Sequence, residues 1–432
     1  MTKLAQTKES TYLLGTPARS DHNFKYGEAL MHLVKGYVGT GIFSMGDAMK
    51  NGGLIFGPIT TFLIGMICLH CCHLLVNSAH MLHKHYKLDR VPDYADTAKL
   101  SFKLAAPEFP AWAFVAKLTV NVFLIMAQVG FCCCYLVFIS WNIRELLIAY
   151  KVPLDIHSII ALVVIPIWIT CLIRTLKCLA YLSIIANCTL LTSIAIVLYF
   201  AFTIPTSECP AGLLVPGISE YAIFFGQSIF AFEGIGLVLI LYNEMSEPEE
   251  FYETYGVLNI GLHMVTVTYI FFGAVTYLQF GNDIKETVTL NLNTSEYLGQ
   301  LVLVLISVGV SFSFSLQLYV AVDITWPKIV FWLGPFKYPV WVELWFRTAL
   351  VITIFVMAEA IPRLQILLAF VGSFLSIALI AIFPAAIDIV ATLAFKKMTP
   401  FILIKDVLII IFGCVATVAG TYESLALLAK EL

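Results

Sequence analysis

Two long apolar segments of this chain are interrupted by glycine at corresponding places, which constrains its fold more than any other feature. The first reads Lys35-Gly-Tyr-Val-Gly-Thr-Gly-Ile-Phe-Ser-Met-Gly46 and the second Phe225-Gly-Gln-Ser-Ile-Phe-Ala-Phe-Glu-Gly-Ile-Gly236. Backbone released from helix hydrogen bonding is not tolerated against lipid, so it must line a cavity or pack on protein. Interrupted segments in corresponding halves of a hydrophobic chain point to a transporter's binding site. The two breaks read as two walls of one substrate pocket.

The remaining sequence supplies the membrane spans. Hydrophobic residues make up 60% of the chain and charged residues only 12%, well outside soluble-domain composition. A span needs about 20 mostly apolar residues. Eleven are expected, near 27–50, 54–80, 112–140, 156–173, 179–204, 219–242, 254–280, 296–325, 341–358, 364–389 and 403–425. The expected fold is therefore an all-α membrane protein. Residues 1–26 form a cytoplasmic N-terminal tail, 27–425 a single transmembrane domain and 426–432 a short C-terminal tail. The first 26 residues lack the apolar core of a cleavable signal peptide. A net charge of -3 argues against a nucleic acid partner.

Lysine and arginine set the orientation. With the N-terminus inside, the inner links carry Lys84, Lys87, Arg90, Lys99, Lys103, Arg174, Lys177, Lys328, Lys337, Lys396 and Lys397. The outer links carry fewer: Lys50, Arg144, Lys151, Lys285 and Arg363. The inner loop after the sixth span is instead acidic, with Glu244, Glu247, Glu249, Glu250 and Glu253, but acidic residues weigh little in this rule. Five spans precede the second break, and five more begin with it. An odd number of crossings per repeat inverts the second copy, giving a five-plus-five inverted repeat with discontinuous first and sixth helices. Within the 81–111 link, Asp93–Ala106 is expected to form a short helix on the membrane surface.

The first break suits an amino acid. Gly39 and Gly41 alternate with Thr40 and Ser44, which adds polar capacity at one depth. A helix resuming there offers N–H groups and a positive dipole end to a carboxylate. The second break, near Ile229–Gly236 and including Gly234, offers freed carbonyls to an ammonium group, with Phe230 and Phe232 beside the side chain. The plain alternative is that the glycines form a helix-packing face and the aromatics fill core.

Two ionisable residues fall inside spans. His32 precedes the first break and titrates near neutrality when unperturbed, so it is either a proton carrier or a bonded core histidine. Glu233 sits within the second break, where a carboxylate is a functional candidate by default. Proton carrier, ammonium contact and brace for the unwound backbone are all open to it. No metal site is read at His80, His83 and His85, and no cofactor is called for. The run Cys132-Cys-Cys134 is read as packing, and Cys209 as an unpartnered outer-loop cysteine. Asn293-Thr-Ser295 falls in an outer loop and is a glycosylation acceptor or an unmodified loop asparagine.

At several places the chain resembles the proton-coupled amino acid transporters, a branch of the amino acid/auxin permease family. The matching stretches are Leu30-Met-His-Leu-Val-Lys-Gly-Tyr-Val-Gly-Thr-Gly41, Lys50-Asn-Gly-Gly53, Gln128-Val-Gly-Phe-Cys-Cys133, Phe224-Phe-Gly226, Phe232-Glu-Gly-Ile-Gly236, Tyr277-Leu-Gln-Phe-Gly281, Ile361-Pro-Arg-Leu364 and Gly420-Thr-Tyr-Glu423. They run in order from the first span to the last. The resemblance implies the broken-helix fold, co-transport of a proton with small neutral amino acids, and a proton-coupling role for His32. It also implies a plasma-membrane or a lysosomal or endosomal location. The chain departs from the family pattern at Gly46-Asp47, where a proline is usual, and at Leu241-Tyr-Asn243. The family's outer disulfide is not expected. The function expected is a proton-driven symporter in the lipid bilayer. Two rivals stand beside it: an amino acid receptor with little flux, and a sodium-coupled carrier using Ser311 and Ser315.

Overall fold

The computed structural model describes residues 24–174, 176–203, 217–334 and 336–431, and these are almost entirely helical. The N-terminal tail before Phe24 and Cys209 lie outside the described residues. The helices are α1 (Tyr26–Tyr37), α2 (Gly41–Gly52), α3 (Phe56–Tyr86), α4 (Tyr94–Ala105), α5 (Pro110–Ala149), α6 (Ile156–Cys171), α7 (Leu176–Thr203), α8 (Ile218–Ala231), α9 (Ile235–Glu244), α10 (Val257–Phe280), α11 (Tyr297–Leu333), α12 (Pro339–Ala360), α13 (Leu364–Phe370), α14 (Phe383–Ala394) and α15 (Pro400–Glu431). Between α13 and α14 the chain winds as π-helix over Val371–Ser376 and Ala378–Ile382.

Among the described residues, nine helices are long and apolar enough to cross a membrane, counting α8 with α9 and α13 with α14. The helix α6 is apolar but shorter. Most helices outrun the apolar limits read from sequence. Pro110–Ala149 exceeds the expected 112–140, and Pro400–Glu431 continues through the stretch expected as a C-terminal tail. Hydropathy marks where the hydrocarbon ends, whereas the hydrogen-bond ladder continues into the interface.

The exposed surface is what lipid requires. On α15, Phe401, Ile404, Leu408, Ile411, Val415, Val418 and Tyr422 are all exposed. Their spacing alternates three and four residues, which places them on one face. The other face buries Asp406 and Ser424. By contrast, the α13–α14 span is the most enclosed: 78% of its apolar window is buried, against 11% for α15. It therefore runs through the middle of the bundle while α15 lies on its edge.

The expected helix after α3 forms, capped by the Asp93 side chain, which accepts from the Asp96 amide at 2.7 Å. It packs into the protein along much of its length. Tyr94, Ala95, Ala98 and Ser101 are buried, Tyr94 Oη donates to Leu379 O at 2.6 Å, and Asp96 pairs with Lys117 of α5. Its small side chains let it sink between neighbouring helices, which hydropathy alone does not reveal.

A buried charged cluster joins α12 to the link after α6. The Glu343 carboxylate accepts from Arg174 at 2.6 and 2.9 Å and from Arg347 at 3.0 Å. Arg347 also donates to Cys171 O and Ile173 O. Removal of one member would strand the others uncompensated.

Candidate functional site

Both glycine-rich stretches interrupt their helices. α1 stops at Tyr37 and α2 starts at Gly41; α8 stops at Ala231 and α9 starts at Ile235. At the first break the Val38 amide still reaches Val34 O, but the Gly39 amide turns back to Tyr37 O at 2.9 Å. Thr40 supplies no side-chain cap to α2. At the second break the Glu233 amide falls back on Phe230 O at 3.3 Å, and the Leu237 amide restarts the ladder on Gly234 O.

The breaks meet. A β-carbon on Gly41 would lie 3.0 Å from Ala231, and one on Gly234 would lie 2.8 Å from the Tyr37 ring. One side chain holds both. Tyr269 of α10, fully buried, places its hydroxyl 2.6 Å from Tyr37 O and 2.8 Å from Ala231 O. These are the last carbonyls of α1 and α8, groups that a helix end leaves short of partners, although Tyr37 O also accepts from the Gly39 amide. A phenol has one proton, so the two carbonyls share it.

The two broken segments run in opposite directions. Phe24 pairs with the strand-like turn after α9, its amide on Glu244 O at 2.8 Å and its carbonyl accepting from Ser246 at 2.9 Å. The start of α1 and the finish of α9 thus share one end of the molecule.

The residues singled out in the sequence do not all converge. Gly39 faces the Tyr135 hydroxyl of α5 at an ordinary contact distance for an added β-carbon, 3.8 Å, so it has room that Gly41 lacks. Gln317 Nε2 of α11 donates to the Tyr135 hydroxyl at 3.5 Å, and Thr40 lies beside the same hydroxyl. Phe230 packs edge-on to Phe131, one turn before Tyr135, at 5.0 Å. Gly39, Thr40 and Phe230 therefore gather around Tyr135. Phe232 turns the other way, edge-on to Tyr269 at 5.2 Å, and Gly234 packs on Tyr37. The Ser44 hydroxyl donates to Gly41 O at 2.8 Å within its own helix.

Glu233 lies among Tyr37 of α1 and Cys68 and Cys72 of α3. Its Oε2 is enclosed without a hydrogen-bond partner. His32 is exposed, between Glu28 and Lys35 on α1, and its ring stacks on Phe24 at 4.6 Å. Five residues, about 7.5 Å of helix, separate it from Tyr37. Asn293 is exposed in the loop before α11. The Ser311 hydroxyl donates to Ser307 O at 2.7 Å, and the Ser315 hydroxyl shares a hydrogen bond with that of Thr170 at 2.6 Å.

Tyr135, Gln317 and Tyr269 were not selected from the sequence. Each is an isolated polar group in an apolar run, and only the packing of separate spans brings it to a break. Their signal was polarity at mid-span, which the sequence shares with many harmless positions.

Comparison with known proteins agrees with this geometry. The family model described as transmembrane amino acid transporter protein matches residues 22–426. The proton-coupled amino acid transporter-like protein pathetic of Drosophila melanogaster is 31% identical over 407 residues, covering 93% of this chain and 85% of that protein. Amino acid transporter AVT3B of Arabidopsis thaliana is 26% identical over 443 residues, covering 99% and 98%. Among solved structures, MhsT in complex with L-phenylalanine shares the fold with a TM-score of 0.53 at 13% identity, over 94% of this chain and 100% of that one. That likeness fits a five-plus-five inverted repeat.

Proposed function

Because this chain belongs to the transmembrane amino acid transporter family, a family of carriers and not enzymes, we propose that it is a proton-coupled symporter of small neutral amino acids working by alternating access. The observation that carries the reading is the junction at Tyr269, where two opposed helix breaks meet beside an open glycine. Beside Gly39, whose own amide is taken by Tyr37 O, the backbone N–H groups of Thr40 and Gly41 receive the carboxylate. The aromatic wall of Phe230 and Tyr135 limits the side chain to a small one. A zwitterion is held there without a buried counter-ion, which in a membrane would be expensive.

In this reading α1 with α2 and the shorter α6 complete eleven crossings. Residues 27–425 form the transport domain, flanked by a cytoplasmic tail over 1–26 and a short tail over 426–432. Ser44, Phe232 and Gly234 shape the breaks from behind rather than touching the substrate. His32 and Glu233 handle the proton on the inner side, since Phe24 ties that end of α1 to the acidic loop. The unpartnered Glu233 oxygen favours its role as a proton carrier over that of a brace. The membrane is the plasma membrane or a lysosomal or endosomal one.

A potential of about 100 mV supplies about 2.3 kcal/mol per charge. One pH unit adds about 1.4 kcal/mol. The sum, about 3.7 kcal/mol, concentrates a neutral substrate several hundredfold at one proton per cycle. In vesicles, uptake of alanine should rise as outside pH falls and should not respond to replacement of sodium. His32→Ala should flatten the pH response; a mutant with the normal response removes His32 from the proton path. Binding of alanine without concentrative uptake would favour the receptor reading instead. Asn293→Gln should abolish an endoglycosidase-sensitive gel shift if the loop faces outside; a shift that persists in the mutant rejects Asn293 as the acceptor.

A further inference from the structure

Six residues beyond Gly41, a second carboxylate lies buried in the first broken segment. Asp47 of α2 is 3% exposed. One of its oxygens, Oδ2, accepts from Gln227 Nε2 of α8 at 2.8 Å and from Gln365 Nε2 of α13 at 3.0 Å. Asn51, one turn further along α2, donates to Gln227 Oε1 at 3.3 Å. The network therefore joins both broken segments to the central span.

The chemistry of these partners is unusual for a buried carboxylate. Such a group is ordinarily paired with a cation. Here the hydrogen-bond donors are two neutral carboxamides. Lys50 stands near but gives its ammonium to Ile284 O at 3.4 Å. Glu286 of the outer loop also faces Asp47, adding a like charge, and its own Oε2 accepts from the Leu364 and Gln365 amides at 2.9 and 3.2 Å. A carboxamide carries both a donor and an acceptor. It can give N–H to a carboxylate or, turned over, offer C=O to a carboxylic acid. The same shell thus serves Asp47 with or without its proton.

We propose that Asp47 is the group that binds the coupling proton from the outer side. The assignment rests on the symport reading above. Asp47 carboxylate takes a proton from outside water to become the acid, whose O–H then donates to the Gln227 or Gln365 carboxamide oxygen. In the ionised form the carboxylate clamps α2, α8 and α13 together. Protonation turns one carboxamide over and weakens that clamp without releasing it, so occupancy by a proton and movement of the broken segments are linked.

The test uses full-length protein in liposomes with radiolabelled alanine and a trapped pH dye. Asp47→Asn keeps size and hydrogen bonding but cannot exchange a proton. The variant should lose pH-driven accumulation by at least about tenfold and lose alanine-dependent acidification, while alanine exchange at equal pH on both sides remains measurable. Asp47→Glu should restore part of the acidification. Normal pH-driven accumulation by Asp47→Asn overturns the assignment. So does loss of exchange together with accumulation, because the carboxylate would then be a structural brace. A wild-type protein without alanine-driven acidification overturns the symport reading itself, and the assignment with it.

Discussion

Gly372→Val is expected to leave little folded transporter in the membrane. Gly372 lies in the π-helical stretch of the central span, where it crosses Gly226 of α8. A β-carbon there would strike the Gly226 carbonyl oxygen, with the Gly226 carbonyl carbon at 2.7 Å and the Phe230 amide nitrogen at 2.9 Å. All three are backbone atoms, which cannot rotate away as a side chain would. Overpacking costs about 1–3 kcal/mol when neighbours can adjust, and more when they cannot. Against a total stability of about 5–15 kcal/mol, a loss above about 3 kcal/mol is a large share of the margin. Abundance in membranes and melting in detergent report it. Gly27→Ala is the control, since a β-carbon at Gly27 meets nothing within 4 Å. A Gly372→Val protein that melts like the control would show that the two helices can part without loss, and the close crossing would carry no weight.

Tyr269→Phe is expected to reduce alanine uptake by about 10- to 100-fold with little change in abundance. The ring and its packing on Phe232 stay, and only the hydroxyl goes. Tyr37 O keeps the Gly39 amide, but Ala231 O loses the hydroxyl that satisfies it. Leaving a buried polar group unsatisfied costs about 1–3 kcal/mol. Each 1.36 kcal/mol is about tenfold in rate or equilibrium. The cost falls on the geometry of the two breaks, because Tyr269 is what sets their separation. Radiolabelled uptake, normalised to protein in the membrane, measures it, with the exposed Tyr422→Phe as control. Wild-type uptake by Tyr269→Phe would mean that the junction is held by backbone packing at Gly41 and Ala231 alone.

Much of this was legible in the chain. Glycines at Gly36, Gly39 and Gly41 and at Gly226, Gly234 and Gly236 cost a helix about 1 kcal/mol each, so their crowding in apolar runs marks where helices part. Glu233 stood out because a carboxylate within a span is rarely idle. Other parts were illegible for physical reasons. The burial of α4 depends on which helices leave a groove for Ala95 and Ala98. Phe230 and Phe232, two residues apart, look equivalent as text, yet one packs on Phe131 and the other, past the end of α8, on Tyr269. Ser44 reads as a ligand hydroxyl, but the Gly41 carbonyl, within reach in its own helix, takes its proton. Asp47 registered only as a departure from a familiar pattern, because its partners lie 180 and 318 residues away.

The sequence by itself determined that the chain is a membrane protein, where its helices part, and that its two halves carry matching interruptions. Hydropathy and glycine act locally, so no neighbour is needed to read them. Which polar atoms meet at those interruptions was decided only by tertiary structure. Tyr269, Tyr135, Gln317 and the carboxamides around Asp47 stand on separate helices, and hydrogen bonds reach only about 3 Å, so their roles exist only once the spans have packed.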